Sequence, residues 1–430
     1  MSNRARAAGP SSGPGYGSRP TGADVVAGSG TDRPSVPAAA RVDRFLAQLV
    51  TEGRLAGWSW AMLSDRRVVH RADGGVQDLL DRRAVDAETT FRIYSMTKPI
   101  VAVAVLLLRD RGLLALEDPI QAYLPEFAAT EVYVDGDGES VRTRPPRSPI
   151  TLAHALTHTA GLTYGFHRAH PVDALYRAAG HDVEAPRGLA LPDACRLWAS
   201  LPLLFEPGTS WNYSVGYDVL GRVIEVVVGT SLGEFLDREI FGPLGMTDTG
   251  FRVPEERREF LATLYDAGSA PLRAISDVGM NVFEPGAGHF GGGGLVSTTD
   301  DYLRFMEMLL GYGAIPGGQL LHPDSVRLLV RNHLPGDRDI ASFGRTMASE
   351  LGFDGVGQAY GGTTQVRPST TSARRVGDFG WGGIAGSYFW IDPRAGAGAI
   401  FMLQAFPAGQ LPIRARLHQL VNDALDDRHA

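Results

Sequence analysis

Apolar residues near the two ends of the chain fall in short runs that predict β-strands. Residues 57–63 and 67–70 are two such runs, and the polar residues 64–66 between them predict a hairpin. Two further runs, 387–391 and 399–404, are typical of strands close to the C-terminus. We therefore expect a sheet that takes strands from both ends of the chain.

In other segments the apolar residues recur with the spacing of α-helices. Helices are predicted for residues 40–54, 95–111, 151–158, 217–228, 299–310 and 411–425, and Ser231 is expected to cap one more. Because the middle of the chain holds helical patterns and the ends supply strands, we expect a helical lobe inserted into an α/β lobe.

These patterns and the local composition divide the chain into regions. Residues 1–38 are rich in Gly, Pro, Ser and Ala and are predicted to be disordered. Residues 39–114 and 291–430 are expected to form a discontinuous α/β domain, and residues 115–290 a mostly helical domain. A chain of 430 residues is long enough for two such packed lobes.

Composition and charge narrow the classes of function. The net charge of −7 argues against a nucleic-acid partner, since such proteins present a basic face. The apolar run 100–108 is too short for a bilayer, which needs about 20 residues, and the N-terminus has no apolar secretory segment. We expect a soluble, cytoplasmic protein that binds neither nucleic acid nor membrane; the sequence does not indicate its oligomeric state.

Four patterns resemble functional motifs but have the wrong context. Ser231 lies in a Gly-x-Ser-x-Gly pattern that follows a predicted helix, whereas the nucleophile elbow follows a strand. His154 and His158 have the i, i+4 spacing of zinc ligands but no third ligand is evident. The glycines 291–294 lack the lysine of a phosphate-binding loop, and the single cysteine, Cys195, is expected to be a buried apolar residue.

A polar tetrapeptide, Ser95-Met-Thr-Lys98, opens the longest apolar run of the chain. Residues three apart share one face of a helix, so the lysine could accept the proton of the serine hydroxyl and activate it as a nucleophile. The free N–H groups at a helix N-terminus could also stabilise an oxyanion. The alternative is that Ser95 only caps the helix and that Lys98 faces solvent.

Two further segments could complete such a site. Tyr213 is predicted to lie on a loop just before a helix, where it could act as an acid or base or could fill the core. Residues 380–393 begin with closely spaced glycines before a strand, which lets a ligand approach the backbone. A backbone N–H there could complete an oxyanion hole, and a bulge or tight turn is the alternative.

The order of Ser95-x-x-Lys98, Tyr213 and Trp381-Gly-Gly383 resembles that of serine β-lactamase-like and penicillin-binding-protein-like hydrolases. The chain looks most like the family VIII carboxylesterases, relatives of the class C β-lactamases, and is also similar to the lovastatin acyltransferase type. Residues 156–162, 243–246 and 292–298 support the resemblance, which extends from about residue 40 to the C-terminus.

The resemblance implies a fold, a site and a chemistry. The implied fold is α/β (α+β), an antiparallel sheet flanked by helices with an inserted, mostly helical domain and the active site between the two domains. No metal or organic cofactor is implied, and the substrate is a small-molecule ester. The implied site consists of Ser95 as nucleophile, Lys98 and Tyr213 as base and acid, the N–H groups of Ser95 and Ile384 as oxyanion hole, and Trp381, Gly382 and Gly383 as the substrate-binding segment.

The chain departs from the β-lactamase pattern at two positions. Val215 replaces an asparagine that would bind a substrate amide, and Trp381 replaces a lysine that would bind a substrate carboxylate. We therefore expect a serine carboxylesterase that prefers neutral, apolar acyl esters. Acyl transfer at the same site, hydrolysis of β-lactams or D-amino peptides, and a non-catalytic binding module are the alternatives.

Overall fold

The computed structural model describes residues 36–183, 188–275, 278, 282–283, 288–345, 352–370 and 372–429. By contacts between Cα atoms, the chain divides into residues 1–33 and one compact unit of residues 34–430. Most of the predicted disordered segment, 1–38, lies outside the described residues. Its last three residues are helical, because the first helix begins at Val36.

The sheet takes strands from both ends of the chain, as predicted. In the order β11-β12-β13-β14-β15-β1-β2 each strand is antiparallel to its neighbour, and β15 also pairs in parallel with β6, which pairs with β7. The strands are β1 (Gly57–Ser64), β2 (Arg67–Gly75), β3 (Phe91–Arg92), β4 (Val132–Asp135), β5 (Arg142–Arg144), β6 (Tyr265–Asp266), β7 (Arg273–Ala274), β8 (Val296–Ser297), β9 (Ala314–Ile315), β10 (Gly318–Gln319), β11 (Val356–Gln358), β12 (Thr363–Gln365), β13 (Phe379–Gly382), β14 (Gly386–Asp392) and β15 (Ala397–Phe406).

The helices confirm most of the predicted positions. The predicted helices 217–228 and 299–310 are observed within one residue, and the terminal helices are shifted by a few residues. The helices are α1 (Val36–Thr51), α2 (Thr97–Asp110), α3 (Leu152–Leu156), α4 (Pro171–Ala178), α5 (Leu191–Ala199), α6 (Gly216–Val228), α7 (Leu232–Leu236), α8 (Gly242–Leu244), α9 (Thr299–Leu310), α10 (Pro323–Val330), α11 (Ile340–Phe343) and α12 (Arg414–His429).

Helices cover both faces of the sheet, which explains why β1 is buried along its whole length. Trp60 and Met62 point to one face and join a core formed with α1 and α12. Ala61 and Leu63 point to the other face and join the larger core that contains α2. Successive residues of a strand alternate between the faces, so a strand buried on both sides is apolar throughout.

Two predicted helices differ from those observed. The helix predicted for 151–158 ends at Leu156, and His158 has the left-handed φ of 56° that turns the chain. The helix predicted from Ser95 begins instead at Thr97, after a short 3₁₀ turn over Tyr94–Met96. Both differences fall on residues that the candidate site uses.

Helix α2 runs through the interior of the protein. Its residues from Thr97 to Leu108 are all buried, and it packs against α6 and α10. A helix that is surrounded by protein has no polar face, which accounts for the continuous apolar run in the sequence. Within the described part of the chain, no helix combines the length and the apolar character that crossing a membrane requires.

Candidate active site

The structure brings Ser95, Lys98 and Tyr213 together at the beginning of α2. The Oγ atom of Ser95 accepts hydrogen bonds from Lys98 Nζ at 3.2 Å and from Tyr213 OH at 2.7 Å. Ser95 is only partly buried, so a ligand can reach the hydroxyl group. The reading of Ser95 as a helix cap does not hold, because neither the 3₁₀ turn nor α2 has a side-chain cap.

Lys98 is buried with its charged group inside the site. Its side chain is 1% exposed, so it is not the solvent-facing residue of the alternative reading. Its Nζ also donates to the carbonyl of Gly292, and it lies 4.6 Å from the centre of the Tyr213 ring. A buried ammonium group needs such compensation because it has left its hydration shell.

Asp218 lies on the far side of the Gly292 loop and belongs to the same buried network. Its Oδ1 accepts the N–H of Gly292 at 2.7 Å, and its carboxylate contacts the hydroxyl of Tyr164. Burial raises the pKa of Asp218 to about 6, although the charge of Lys98 and these hydrogen bonds act in the opposite direction. The sequence gives no local signal for Asp218, because its contact to Gly292 spans 74 positions.

The raised pKa of Asp218 predicts a specific pH dependence of stability. A carboxyl that ionises at pH 3.8 unfolded and near 6 folded stabilises the fold below pH 3.8 and loses that contribution as the pH rises through 6. Wild type should therefore lose about 3 kcal/mol more free energy of unfolding than Asp218→Asn between about pH 3 and pH 7. Urea unfolding of both proteins at each pH measures the difference, and equal losses would contradict the assignment.

The predicted oxyanion segment lies beside the predicted nucleophile. Gly383 packs closely on the two residues that precede Ser95. A Cβ added to Gly383 would stand 2.6 Å from the Ile93 carbonyl oxygen and 3.5 Å from Tyr94 Cβ. Neither Ser95 nor Ile384 uses its backbone N–H in a hydrogen bond to another described residue. An oxyanion hole requires two such N–H groups that point to the same place beside the nucleophile.

Aromatic side chains surround Tyr213. The ring centres of His158, Tyr164 and Trp381 lie 4.7, 5.3 and 5.5 Å from the Tyr213 ring. The indole Nε1 of Trp381 is buried and meets no acceptor among the described residues. At the other end of Tyr213, its carbonyl oxygen lies 2.7 Å from His167 Nε2. The hydroxyl of Tyr213 is therefore held in one direction, toward Ser95.

His154 and His158 have structural roles. His158 is fully buried, and burial, followed by the nearby charges of Lys98 and His167, lowers its pKa well below the ordinary value. Its neutral ring accepts the N–H of Ser214 at Nδ1, which fixes the residue after Tyr213. His154 Nδ1 accepts the N–H of Thr151 in the capping box of α3. No cluster suited to a metal ion is found among the residues that the structure describes.

The remaining motif-like residues also have structural explanations. Ser231 caps α7 by accepting the N–H of Glu234 at 3.2 Å, and it follows helix α6 rather than a strand. Cys195 is buried in α5, and burial raises the pKa of its thiol, which disfavours a reactive thiolate. The glycine run is not a phosphate loop, but Gly292 within it links Lys98 to Asp218.

The arrangement can support nucleophilic catalysis by serine. A hydroxyl in contact with an amine and a phenol can lose its proton to this pair, and both groups can return a proton to a leaving group. The free N–H groups would stabilise negative charge on a carbonyl oxygen. The chemistry needs an electrophilic carbonyl that can reach Ser95 Oγ.

Comparison with known proteins gives a consistent result. The family model described as Beta-lactamase matches residues 42–423. Esterase EstB from Burkholderia gladioli is 32% identical over 382 residues, which cover 85% of this chain and 90% of EstB. Monacolin J acid methylbutanoyltransferase from Aspergillus terreus is 30% identical over 342 residues, covering 75% and 78%. The structure of EstCE1, described as a hydrolase with promiscuous acyltransferase activity, matches with a TM-score of 0.75 and 27% identity, covering 90% and 98%.

Proposed function

We propose that this chain, which belongs to the Beta-lactamase family, is a serine carboxylesterase. It works through an acyl-enzyme at Ser95. The family includes hydrolases and acyltransferases, and the relatives that are similar to this chain include esterases. The observation that carries the proposal is the pair of hydrogen bonds that Lys98 and Tyr213 make to Ser95 Oγ. The substrate is a small-molecule ester.

In this proposal the reaction has two stages. Ser95 Oγ loses its proton to whichever group of the Lys98–Tyr213 pair is deprotonated when the substrate binds, and it bonds to the ester carbonyl carbon, while the oxyanion accepts hydrogen bonds from the N–H groups of Ser95 and Ile384. The bond to the alcohol oxygen then breaks, and the pair returns the proton to that oxygen. Water attacks the acyl-enzyme in the second stage, which releases the carboxylic acid and restores the serine hydroxyl.

The expected preference for neutral, apolar acyl groups follows from the side chains at positions 215 and 381. Val215 is fully buried and offers no amide to a substrate. Trp381 contributes an aromatic face and one N–H donor, whereas a carboxylated substrate would call for a cation. These residues support simple esters over carboxylated β-lactams. Hydrolysis of nitrocefin at a rate similar to that of p-nitrophenyl butyrate would contradict this preference.

Covalent labelling tests the proposal directly. Incubation with a fluorophosphonate is expected to increase the mass of the intact protein by one adduct, which peptide mass spectrometry should locate on Ser95, and to stop hydrolysis of p-nitrophenyl butyrate. Ser231→Ala is a matched control because it removes the other serine of a nucleophile-like motif, and it should be labelled like wild type. An adduct on Ser231 or a fully unlabelled protein would contradict the proposal.

Acyl transfer is the second candidate function. It is favoured by relatives of this chain that are named as acyltransferases, with identities of 25–31%. Both functions share the acyl-enzyme and differ in whether water or a second substrate removes the acyl group. Adding an alcohol to the esterase reaction and measuring the new ester by mass spectrometry distinguishes them, because a pure hydrolase would release only the acid.

A further inference from the structure

Arg414, the first residue of α12, reaches from the C-terminal helix to the turn between β13 and β14. Its Nη2 donates to the carbonyl of Gly383 and also, at 3.1 Å, to the carbonyl of Ser387. The guanidinium lies against Gly382, where an added Cβ would stand 2.8 Å from the Arg414 Cζ. The side chain therefore joins both arms of this hairpin, and the missing side chain at Gly382 leaves space for the guanidinium in this position.

The Gly383 carbonyl belongs to the same peptide group as the N–H of Ile384. A trans peptide is planar, so its N–H points away from its C=O, and a donor that holds the carbonyl also sets the direction of the N–H. A hydrogen bond from a cation to the carbonyl oxygen makes the N–H a stronger donor, because hydrogen bonds along one peptide polarise each other. The Ile384 N–H itself donates to no other described residue.

The helix does not explain an arginine at this position. A cation in the first turn faces the positive end of the helix dipole, which costs about 0.3–1 kcal/mol at exposed sites. Arg416, two residues later, is exposed, whereas Arg414 is partly buried against the hairpin and lies 5.6 Å from the Tyr388 ring. Arg414 therefore makes contacts with the hairpin that put its charge beside the Gly383 carbonyl.

We propose that Arg414 is a positioning residue that orients and polarises the Ile384 N–H of the oxyanion hole. The inference rests on the proposed function, because it gives a role to a residue behind the same site. An oxyanion depends on this N–H more than a ground-state ester carbonyl does. Loss of Arg414 therefore acts on the transition state, which predicts a lower kcat at an unchanged KM.

Steady-state kinetics of p-nitrophenyl butyrate hydrolysis tests the proposal with three variants. Arg414→Met is expected to lower kcat by about 10-fold or more with KM within about twofold, and Arg414→Lys to lie between Arg414→Met and wild type. Inhibition by phenylboronic acid, which forms a tetrahedral adduct with serine, should weaken by a similar factor in Arg414→Met. Arg416→Met is the matched control and should behave like wild type in all three measurements.

Several outcomes overturn the inference. A kcat within about twofold of wild type in both Arg414 variants overturns it. The proposed function still stands in that case, provided that the wild type hydrolyses the ester. A raised KM at unchanged kcat also overturns the inference, because it indicates loss of substrate binding only. If Arg414→Met does not fold, Arg414→Lys decides by the same criteria. A wild-type protein that neither hydrolyses the ester nor is labelled at Ser95 overturns both proposals.

Discussion

Replacing Ser95 with alanine is expected to lower kcat/KM for p-nitrophenyl butyrate by about 10⁵-fold. The substitution removes the Oγ atom that forms the bond to the acyl carbon, and neither neighbouring group can take its place. Lys98 Nζ remains bonded to the Gly292 carbonyl, and the Tyr213 hydroxyl loses its acceptor at Ser95. The variant should show no burst of p-nitrophenol, because no acyl-enzyme can form.

The folded state provides the control for this variant. Ser95 is partly exposed and caps no helix, so Ser95→Ala should change the free energy of unfolding by less than about 1 kcal/mol, as measured with urea. If Ser95→Ala is stable but inactive, the lost turnover results from the missing hydroxyl and not from unfolding. Turnover equal to that of wild type would show that the nucleophile is another group.

The second large effect is expected at Lys98, which is the only lysine in the chain. Apart from histidines, every other basic side chain is an arginine, whose guanidinium does not give up its proton under ordinary conditions. Lys98→Met and Lys98→Arg should therefore both lower kcat/KM by about 10³-fold, the first because it removes the amine that transfers the proton and the second because a guanidinium stays protonated. Activity of Lys98→Arg close to that of wild type would show that the site needs only a positive charge at this position.

Stability measurements separate the two Lys98 variants. In Lys98→Met the removal of a buried charge offsets the loss of a donor to the Gly292 carbonyl, so the free energy of unfolding should stay within about 2 kcal/mol of wild type. In Lys98→Arg a larger cation must fit a site where Lys98 is 1% exposed, and a greater loss is expected. Urea unfolding of both variants provides the comparison.

The sequence predicted those elements whose signals are local. Ser231 accepts an N–H from the third residue of α7, as the predicted cap requires, and α9 is predicted from its apolar spacing, although its cap, Thr298, is not. The strands 387–391 and 399–404 are also observed, within the longer strands β14 and β15. Ser95, Lys98 and Tyr213 are predicted because each belongs to a short motif, and the structure brings the three side chains into contact.

The remaining features depend on contacts between distant parts of the chain. Asp218 lies inside helix α6, where its sequence neighbours give no indication that it faces the backbone of Gly292. His158 was placed on a helix because the apolar spacing continues past Leu156, but the chain reverses there and its ring meets Ser214. Arg414 has no motif at all, and only the fold brings it to the Gly383 carbonyl. Lys98 carries one more local signal, because it is the single lysine in a chain whose other Lys/Arg residues are all arginines.

The pairing of β1 with β15 also has a consequence for synthesis of the protein. The two strands are separated by roughly 330 residues, which a ribosome adds over tens of seconds at about 5–20 residues per second. During that time one edge of an apolar strand has no partner, and chaperones are expected to bind it. Ser95 emerges early and the turn that carries Ile384 emerges late, so a nascent chain holds the hydroxyl long before it can stabilise an oxyanion. The proposed chemistry can therefore begin only after the segment that carries Ile384 has been synthesised and has joined the sheet.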